Sequence, residues 1–314
     1  MTAMIEKDDA TGVLPDAGPV LFEQTIPRHL VHRAAVAEVF VTDLHVTNEN
    51  TFHVGAQWPR GHSFFGPRTT ASHDPLIFAE TIRQAALLVS HAALGVPKSD
   101  RFLLHDMSVS VDMVGLRTAD RPVDIVVVVR AHDIRRRGDS IGGIRLEFSC
   151  YRDGRKIGTA GLGWSCASAA GYRRVRGDRF SATPYQATLL PAVKPQLVGR
   201  DRPEDVVLAE TPLHNVWSLQ ANPGHPVMFD HPVDHVPGMV LLEAARQATL
   251  LTVGKANAVP RAMEFTFRRF VEFEDPCLVI ADDQGRTRGG RRLGVTFEQC
   301  GRTVATGTME LADA

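Results

Sequence analysis

The chain repeats part of itself, and a repeat fixes more about a fold than any single motif because each copy must be one structural unit. The stretch HDPLIFAETIRQAALLVS (73–90) matches HVPGMVLLEAARQATLLT (235–252): each begins with His, has Pro two residues later, and carries Glu, then Arg three residues on, then Gln. Glu80 pairs with Glu243 and Arg83 with Arg246, both 163 residues apart. A second landmark follows each copy, GRKIGTAG (154–161) and GRTVATGT (301–308), which reads as a tight turn entering a strand. A chain of 314 residues has room for two cores, so two domains of one kind are expected.

Periodicity fills in each copy. One helix is predicted over 75–94, stopped by Gly95 and Pro97, and a second over 238–253, stopped by Gly254. Alternating apolar patterns predict strands at 37–47, 52–58, 102–113, 123–134, 142–152 and 156–168, and again at 206–210, 216–221, 261–273, 277–283, 292–300 and 303–312. One helix, apolar nearly all round, among antiparallel strands is an α+β order, that of a hot-dog domain in which the sheet wraps a long central helix. The expected organisation is an N-terminal tail at 1–28, a first hot-dog domain at 29–169, a linker at 170–204 and a second hot-dog domain at 205–314, the two packed as a pseudo-dimer that could associate further.

Within the helices, charge is scarce. Between 75 and 89 the only charged residues are Glu80 and Arg83, and between 237 and 253 they are Glu243 and Arg246. Residues three apart share a helix face, so each apolar helix carries one carboxylate beside one guanidinium. Ions cost several kcal/mol each to bury, and apolar replacements are often as stable, so architecture alone is a poor reason for them. An ion pair tying the helix to a strand is one reading. The other is a crevice in which burial raises the Glu pKa toward base chemistry while Arg binds an anion or opposes that rise. Gln84 and Gln247 either add polar contacts or face solvent. Pro237-Gly238 opens the second helix, where free N–H groups could hold an oxyanion. Just before it, His231 and His235 lie close to that end, and His231, Asp230 or Asp234 could polarise a bound thioester, or could cap and fill a loop.

Composition removes other classes. A net charge of −1, from 35 basic and 36 acidic side chains, supplies no field for nucleic acid or an anionic membrane, and no segment reads as a basic helix-turn-helix. No apolar run is long enough to span a bilayer, and the acidic first residues lack the pattern of a signal peptide. Cys150, Cys166, Cys277 and Cys300 form no CxxC pair, which points to structural thiols in the cytoplasm and to no metal. No Gly-x-Ser-x-Gly elbow marks a covalent route.

The stretch FDHPVDHVPGMVLLEAARQA (229–248) resembles the HFPxxPVMPGxLxxEAxxQ signature of hot-dog hydroxyacyl-carrier-protein dehydratases, but Phe229 stands where that family has its histidine. From about Leu30 to the C-terminus the chain is more fully similar to the A-factor biosynthesis family of γ-butyrolactone autoregulator synthases: LVHRAAVAEVF (30–40), HSFFGP (62–67), HDPLIFAETIRQAA (73–86), GYRRVRG (171–177) and the 229–248 stretch all match its landmarks. That resemblance implies an acyltransferase without a cofactor, which moves a β-ketoacyl group from a thioester, on acyl carrier protein or coenzyme A, to the hydroxyl of dihydroxyacetone phosphate, on the way to a butenolide and a signalling lactone. It assigns Glu243 or Glu80 as general base, with Arg246 and Arg83 binding the triose phosphate or orienting the carboxylates. His231, His235, Gly238, Gln84 and Gln247 complete the expected substrate contacts, with more weight on the second half because it alone keeps Pro-Gly. The basic run 172–176 is expected to dock an acidic carrier, grip phosphate or lie solvated. The competing functions are a hot-dog dehydratase or thioesterase, and a non-catalytic protein that binds an acyl chain or lactone.

Overall fold

The computed structural model describes residues 12–14, 20–66, 72–138, 140–180 and 190–312; most of the expected N-terminal tail and Pro67 of the HSFFGP segment lie outside them. Each half is a helix wrapped by an antiparallel sheet. The first half contains β1 (Val41–Asn48), β2 (Thr51–Trp58), α1 (Pro75–Leu88), β3 (Arg101–Val111), β4 (Val123–Arg137), β5 (Ser140–Arg152) and β6 (Arg155–Ala167). A short helix α2 (Ala169–Arg176) follows, and the second half holds β7 (Leu208–Glu210), β8 (Val216–Leu219), α3 (Gly238–Val253), β9 (Pro260–Phe267), β10 (Cys277–Thr287), β11 (Gly290–Gln299) and β12 (Arg302–Leu311).

The strands form one sheet of twelve in the order β1-β2-β4-β5-β6-β3-β9-β12-β11-β10-β8-β7. The second six run in the mirror order of the first, as a two-fold axis requires, and the halves join where β3 pairs with β9 from Asp106↔Thr266 to Ser110↔Ala262. One hydrophobic core spans both halves, from Phe52, Ile82 and Leu146 to Leu242, Phe265 and Phe297. Among the described residues no helix is long and apolar enough to cross a membrane.

Both helices are all but swallowed by the core. Every residue of α1 is buried except Arg83. Their starts differ: the Asp74 carboxylate accepts the Leu76 N–H at 2.9 Å and caps α1, whereas Pro237 precedes α3 with no side-chain cap. Helix α1 runs on through one wider turn, Val89–Ala93, before Gly95, and α3 stops at Gly254 in the left-handed region (φ 66°).

The segment 170–204, expected as a linker, carries α2 and a short 3₁₀ turn at Pro195–Val198. That turn is the counterpart of Arg28–Val31 in the first half, and the Val193 N–H donates to Leu208 O as the Ile26 N–H donates to Val41 O. The equivalence of the halves therefore begins near Val193, hidden in the sequence by a Pro- and Gly-rich stretch without periodicity.

Candidate active site

At the middle of each helix a carboxylate sits at 0% exposure, saturated with donors. Glu243 Oε1 accepts from Arg200 Nε (2.7 Å), Arg246 Nη2 (2.7 Å) and Gln247 Nε2 (2.6 Å), and Oε2 accepts from Arg200 Nη2 (2.6 Å) and Arg246 Nε (2.8 Å). Glu80 repeats this with Arg33, Arg83 and Gln84: Arg33 Nη2 lies 2.7 Å from Oε1, Arg83 Nη2 donates to Oε1 at 2.7 Å and Nε to Oε2 at 2.9 Å, and Gln84 Nε2 donates to Oε1 at 2.7 Å. Each glutamine also stitches its helix to the entering chain. Gln84 donates to Glu38 O and accepts the Phe40 N–H; Gln247 donates to Asp205 O and accepts the Val207 N–H. Neither glutamine faces solvent.

These contacts decide the electrostatics. Burial alone would raise the Glu80 pKa, but Arg33 and Arg83 reverse that and hold it at about 2; Arg200 and Arg246 do the same for Glu243, pushing it far below the ordinary carboxylate range. The expectation that burial carries either glutamate toward a base at neutral pH is thereby corrected: two guanidiniums outweigh desolvation, and donors already occupy both oxygens. Each carboxylate anchors two arginines, and what those arginines face becomes the question.

They face different surroundings. Arg200 is fully buried, stacks 3.8 Å over the Phe64 ring, donates to Phe64 O and reaches the α1 cap Asp74 at 3.2 Å; Arg246 is 6% exposed and donates to Val198 O. The second-half crevice is closed by the chain's own groups. In the first half Arg83 is 23% exposed and its Nη2 donates to Val31 O. Asp230 and His231, brought from the loop before α3, close over this side. Asp230 Oδ2 accepts the Ala34 N–H at 2.8 Å, Oδ1 lies 3.4 Å from Arg33 and 2.5 Å from His231 Nδ1, and the ring of His231 is 42% exposed. Burial opposes ionisation of Asp230, yet His231, Arg33 and the Ala34 N–H keep it a carboxylate.

A second Asp–His couple follows four residues along the chain. Asp234 Oδ1 contacts His235 Nδ1 (2.9 Å) and accepts from the Tyr172 hydroxyl (2.7 Å). Arg176 clamps Asp234 Oδ2 and the Glu272 carboxylate and lies 4.3 Å over Phe270. Arg176, one of the basic run expected to meet a carrier or phosphate, is thus buried and spent on structure; Arg173 and Arg174 remain exposed. The uncapped start of α3 packs at the seam of the two halves, the position of a Cβ on Gly238 being 3.5 Å from Leu104 of β3 and 3.7 Å from Phe267 of β9.

Among the described residues no group of His, Cys, Asp and Glu is arranged to hold a metal. Burial pushes the thiols of Cys166 and Cys277 up to about 12, far from nucleophilic use. A concavity of about 1350 Å³ lies across the outer face of the sheet by Ser108, Arg130, Glu264 and Arg292, away from the helices.

The model of the A-factor biosynthesis hot-dog domain matches residues 18–168 and again 181–312. The chain belongs to that family. A Streptomyces virginiae member, 2-oxo-3-(phosphooxy)propyl 3-oxoalkanoate synthase, is 44% identical over 283 residues, covering 89% of this chain and 95% of the relative. A Streptomyces coelicolor A3(2) protein of the same name is 37% identical over 291 residues, covering 91% and 92%. Among solved structures, the 12:0-ACP thioesterase of Umbellularia californica superposes with a TM-score of 0.50 at 13% identity, over 85% of this chain and 98% of that one, a likeness of fold alone. In this member of the A-factor family the residues singled out by sequence fall in separate places. Glu80, Arg83 and Gln84 form the first set, which His231 joins through Asp230 and Arg33; Glu243, Arg246 and Gln247 form the second; His235 and Gly238 lie apart, His235 against Tyr172 and Asp234 and Gly238 near Leu104 and Phe267. Sequence reading missed Arg33 and Arg200, whose signal was the repeated Leu-Val-x-Arg at 30–33 and 197–200.

Proposed function

We propose that this chain transfers a 3-oxoacyl group from a thioester to the hydroxyl of dihydroxyacetone phosphate, giving 2-oxo-3-(phosphooxy)propyl 3-oxoalkanoate, the precursor of a butenolide and a γ-butyrolactone signal. The observation that carries this is the 44% identity across 95% of a synthase so named; the geometry supports a division of labour. His231, oriented through Nδ1 by buried Asp230, takes the hydroxyl proton. The alkoxide attacks the thioester carbonyl, whose oxygen is steadied by free N–H groups at the start of α3. The C–S bond then breaks and the thiolate takes the proton. Glu80 and Glu243 act as anchors for arginines, and Arg83 meets the acceptor. The carrier is an acyl carrier protein approaching past exposed Arg173 and Arg174, in the cytoplasm.

Purified protein incubated with a β-ketoacyl thioester and dihydroxyacetone phosphate should yield, by mass analysis, a phosphorylated ester or its butenolide. Free β-keto acid irrespective of the triose would mark a thioesterase, and an enoyl product from a hydroxyacyl thioester a dehydratase. Binding without turnover would mark a non-catalytic role.

A further inference from the structure

A net charge of −1 hides an uneven distribution. Strand β4 ends on Arg136 and Arg137, which pair with the first residues of β5; β6 ends where β3 begins, Ala167 beside Arg101; and β9 runs past Thr266, its last pair with β3, to Arg268 and Arg269. Five neighbouring strands, β4-β5-β6-β3-β9, thus bring arginines to one end of the sheet, over a width of about 20 Å. Helix α2 joins that row. It follows β6 directly, and Arg176 seats it 4.3 Å over Phe270, the residue after Arg269, while Arg173 and Arg174 stay outside. Apart from Arg176 these arginines are all exposed, and none meets a carboxylate among the described residues. The acids of the same stretches are few or already taken: Asp133 and Asp178 are exposed and Asp100 is buried, whereas Glu272 is held by Arg176, and Glu274 and Asp275 by Arg179. Toward the other end of the sheet arginines are matched instead. Arg155 donates to Asp112 at 2.6 Å, Arg261 lies 3.5 Å from Glu310, and Arg291 donates to Asp283. A row of one sign repels itself and adds nothing to the fold, and a surface of opposite charge removes that cost.

We propose that this arginine row, running from the end of β4 across the start of β3 to the end of β9, is the docking surface for an acidic protein that presents the acyl thioester, with Val175 and Phe180 as its apolar centre. These two side chains are exposed, at 58% and 38%, and Arg173 lies 5.4 Å over the Phe180 ring. Apolar side chains inside a charged rim are the usual anatomy of a protein–protein interface. The guanidiniums are spread along a strip and not gathered in a pocket, which suits a protein face better than the phosphates of coenzyme A. A nucleic acid fits less well, because the ring on which a base would stack is already covered by Arg173. The row also lies beside the chemistry. Tyr172 of α2 donates to Asp234 at 2.7 Å and lies 3.2 Å from His235, and the four residues back to His231 span at most about 14 Å. The inference rests on the transfer reading and extends it from α2 to the strand ends, and docking can be measured without turnover.

The double variant Arg268→Glu/Arg269→Glu is the test, because both side chains are exposed and unpaired. With the β-ketoacyl group on acyl carrier protein, kcat/KM should fall roughly 10- to 100-fold through KM, and the steep loss that added salt causes in the wild type should flatten. With the same acyl group on pantetheine or coenzyme A, kcat/KM should change by no more than about twofold. Arg101→Gln, a milder change on the neighbouring strand, should act in the same direction at the wild-type melting temperature. An equal loss with coenzyme A, or no loss selective for the carrier in either variant, would overturn the docking surface. Fluorescence anisotropy of labelled carrier protein separates binding from turnover. Weaker binding in the variants, with a wild type that transfers to no triose, keeps the surface and removes the transfer reading; a wild type that binds no carrier, or binds an RNA oligonucleotide in its place, overturns the surface.

Discussion

Each long helix supplies a Glu, an Arg and a Gln, and a second arginine joins from the chain before it, yet one set is sealed and the other is partly exposed. Around Glu243, Arg200 is fully buried and Arg246 only 6% exposed, and Asp74 both caps α1 and meets Arg200. Around Glu80 the counterpart surface keeps Arg83 partly exposed and is faced by the Asp230–His231 couple. A buried carboxylate with two guanidiniums is therefore an architectural device common to both halves, and chemistry depends on what the outermost arginine can reach. Duplication supplied two equivalent frames; substitutions at the rim, Gly199 for His32 and Gly254 for His91, separate them.

Stability should break this comparison first. Glu243→Gln strands Arg200 and Arg246 where no water reaches and should cost about 3–5 kcal/mol in chemical denaturation. Glu80→Gln should cost less, because Arg83 can swing into solvent; equal losses would contradict the difference in burial. Next, Arg246→Lys should lower the melting temperature and leave the KM for the triose phosphate in place, whereas Arg83→Lys should raise that KM with a smaller melting change.

The gentlest probe is acid. His32, with its pKa at about 3 against an ordinary 6.5, and His73, at about 4, are disfavoured as cations in the fold mainly by burial. Their contribution to stability is complete above pH 6.5 and drains as pH falls toward 4 and then 3, while Glu80 adds a loss between pH 4.5 and 2. Melting temperature should thus slide from pH 6.5 downward, and His32→Gln should flatten the upper part of that slope; an unchanged slope would mean that His32 is protonated in the native state.

Much of this was legible in the sequence. Apolar runs with a single Glu and Arg gave both helices to within a few residues, and alternation gave nearly every strand. The shared helix face of Glu80 with Arg83, and of Glu243 with Arg246, followed from spacing. What spacing could not provide was the second arginine of each set, because Arg33 and Arg200 reach their carboxylates from 47 and 43 residues away. Without them, burial looked like the dominant influence on the glutamates. Nor could it show that Arg176 is consumed by Asp234 and Glu272, since a run of arginines in a loop looks the same whether its members face water or a buried acid.

Removal of the His231 ring asks most directly whether one crevice does the work. With acyl transfer to dihydroxyacetone phosphate as the readout, His231→Gln should keep the wild-type melting temperature and lose about 10²–10⁴-fold in kcat. Survival of about half the wild-type rate would mean that both crevices turn over, and would contradict a single open site.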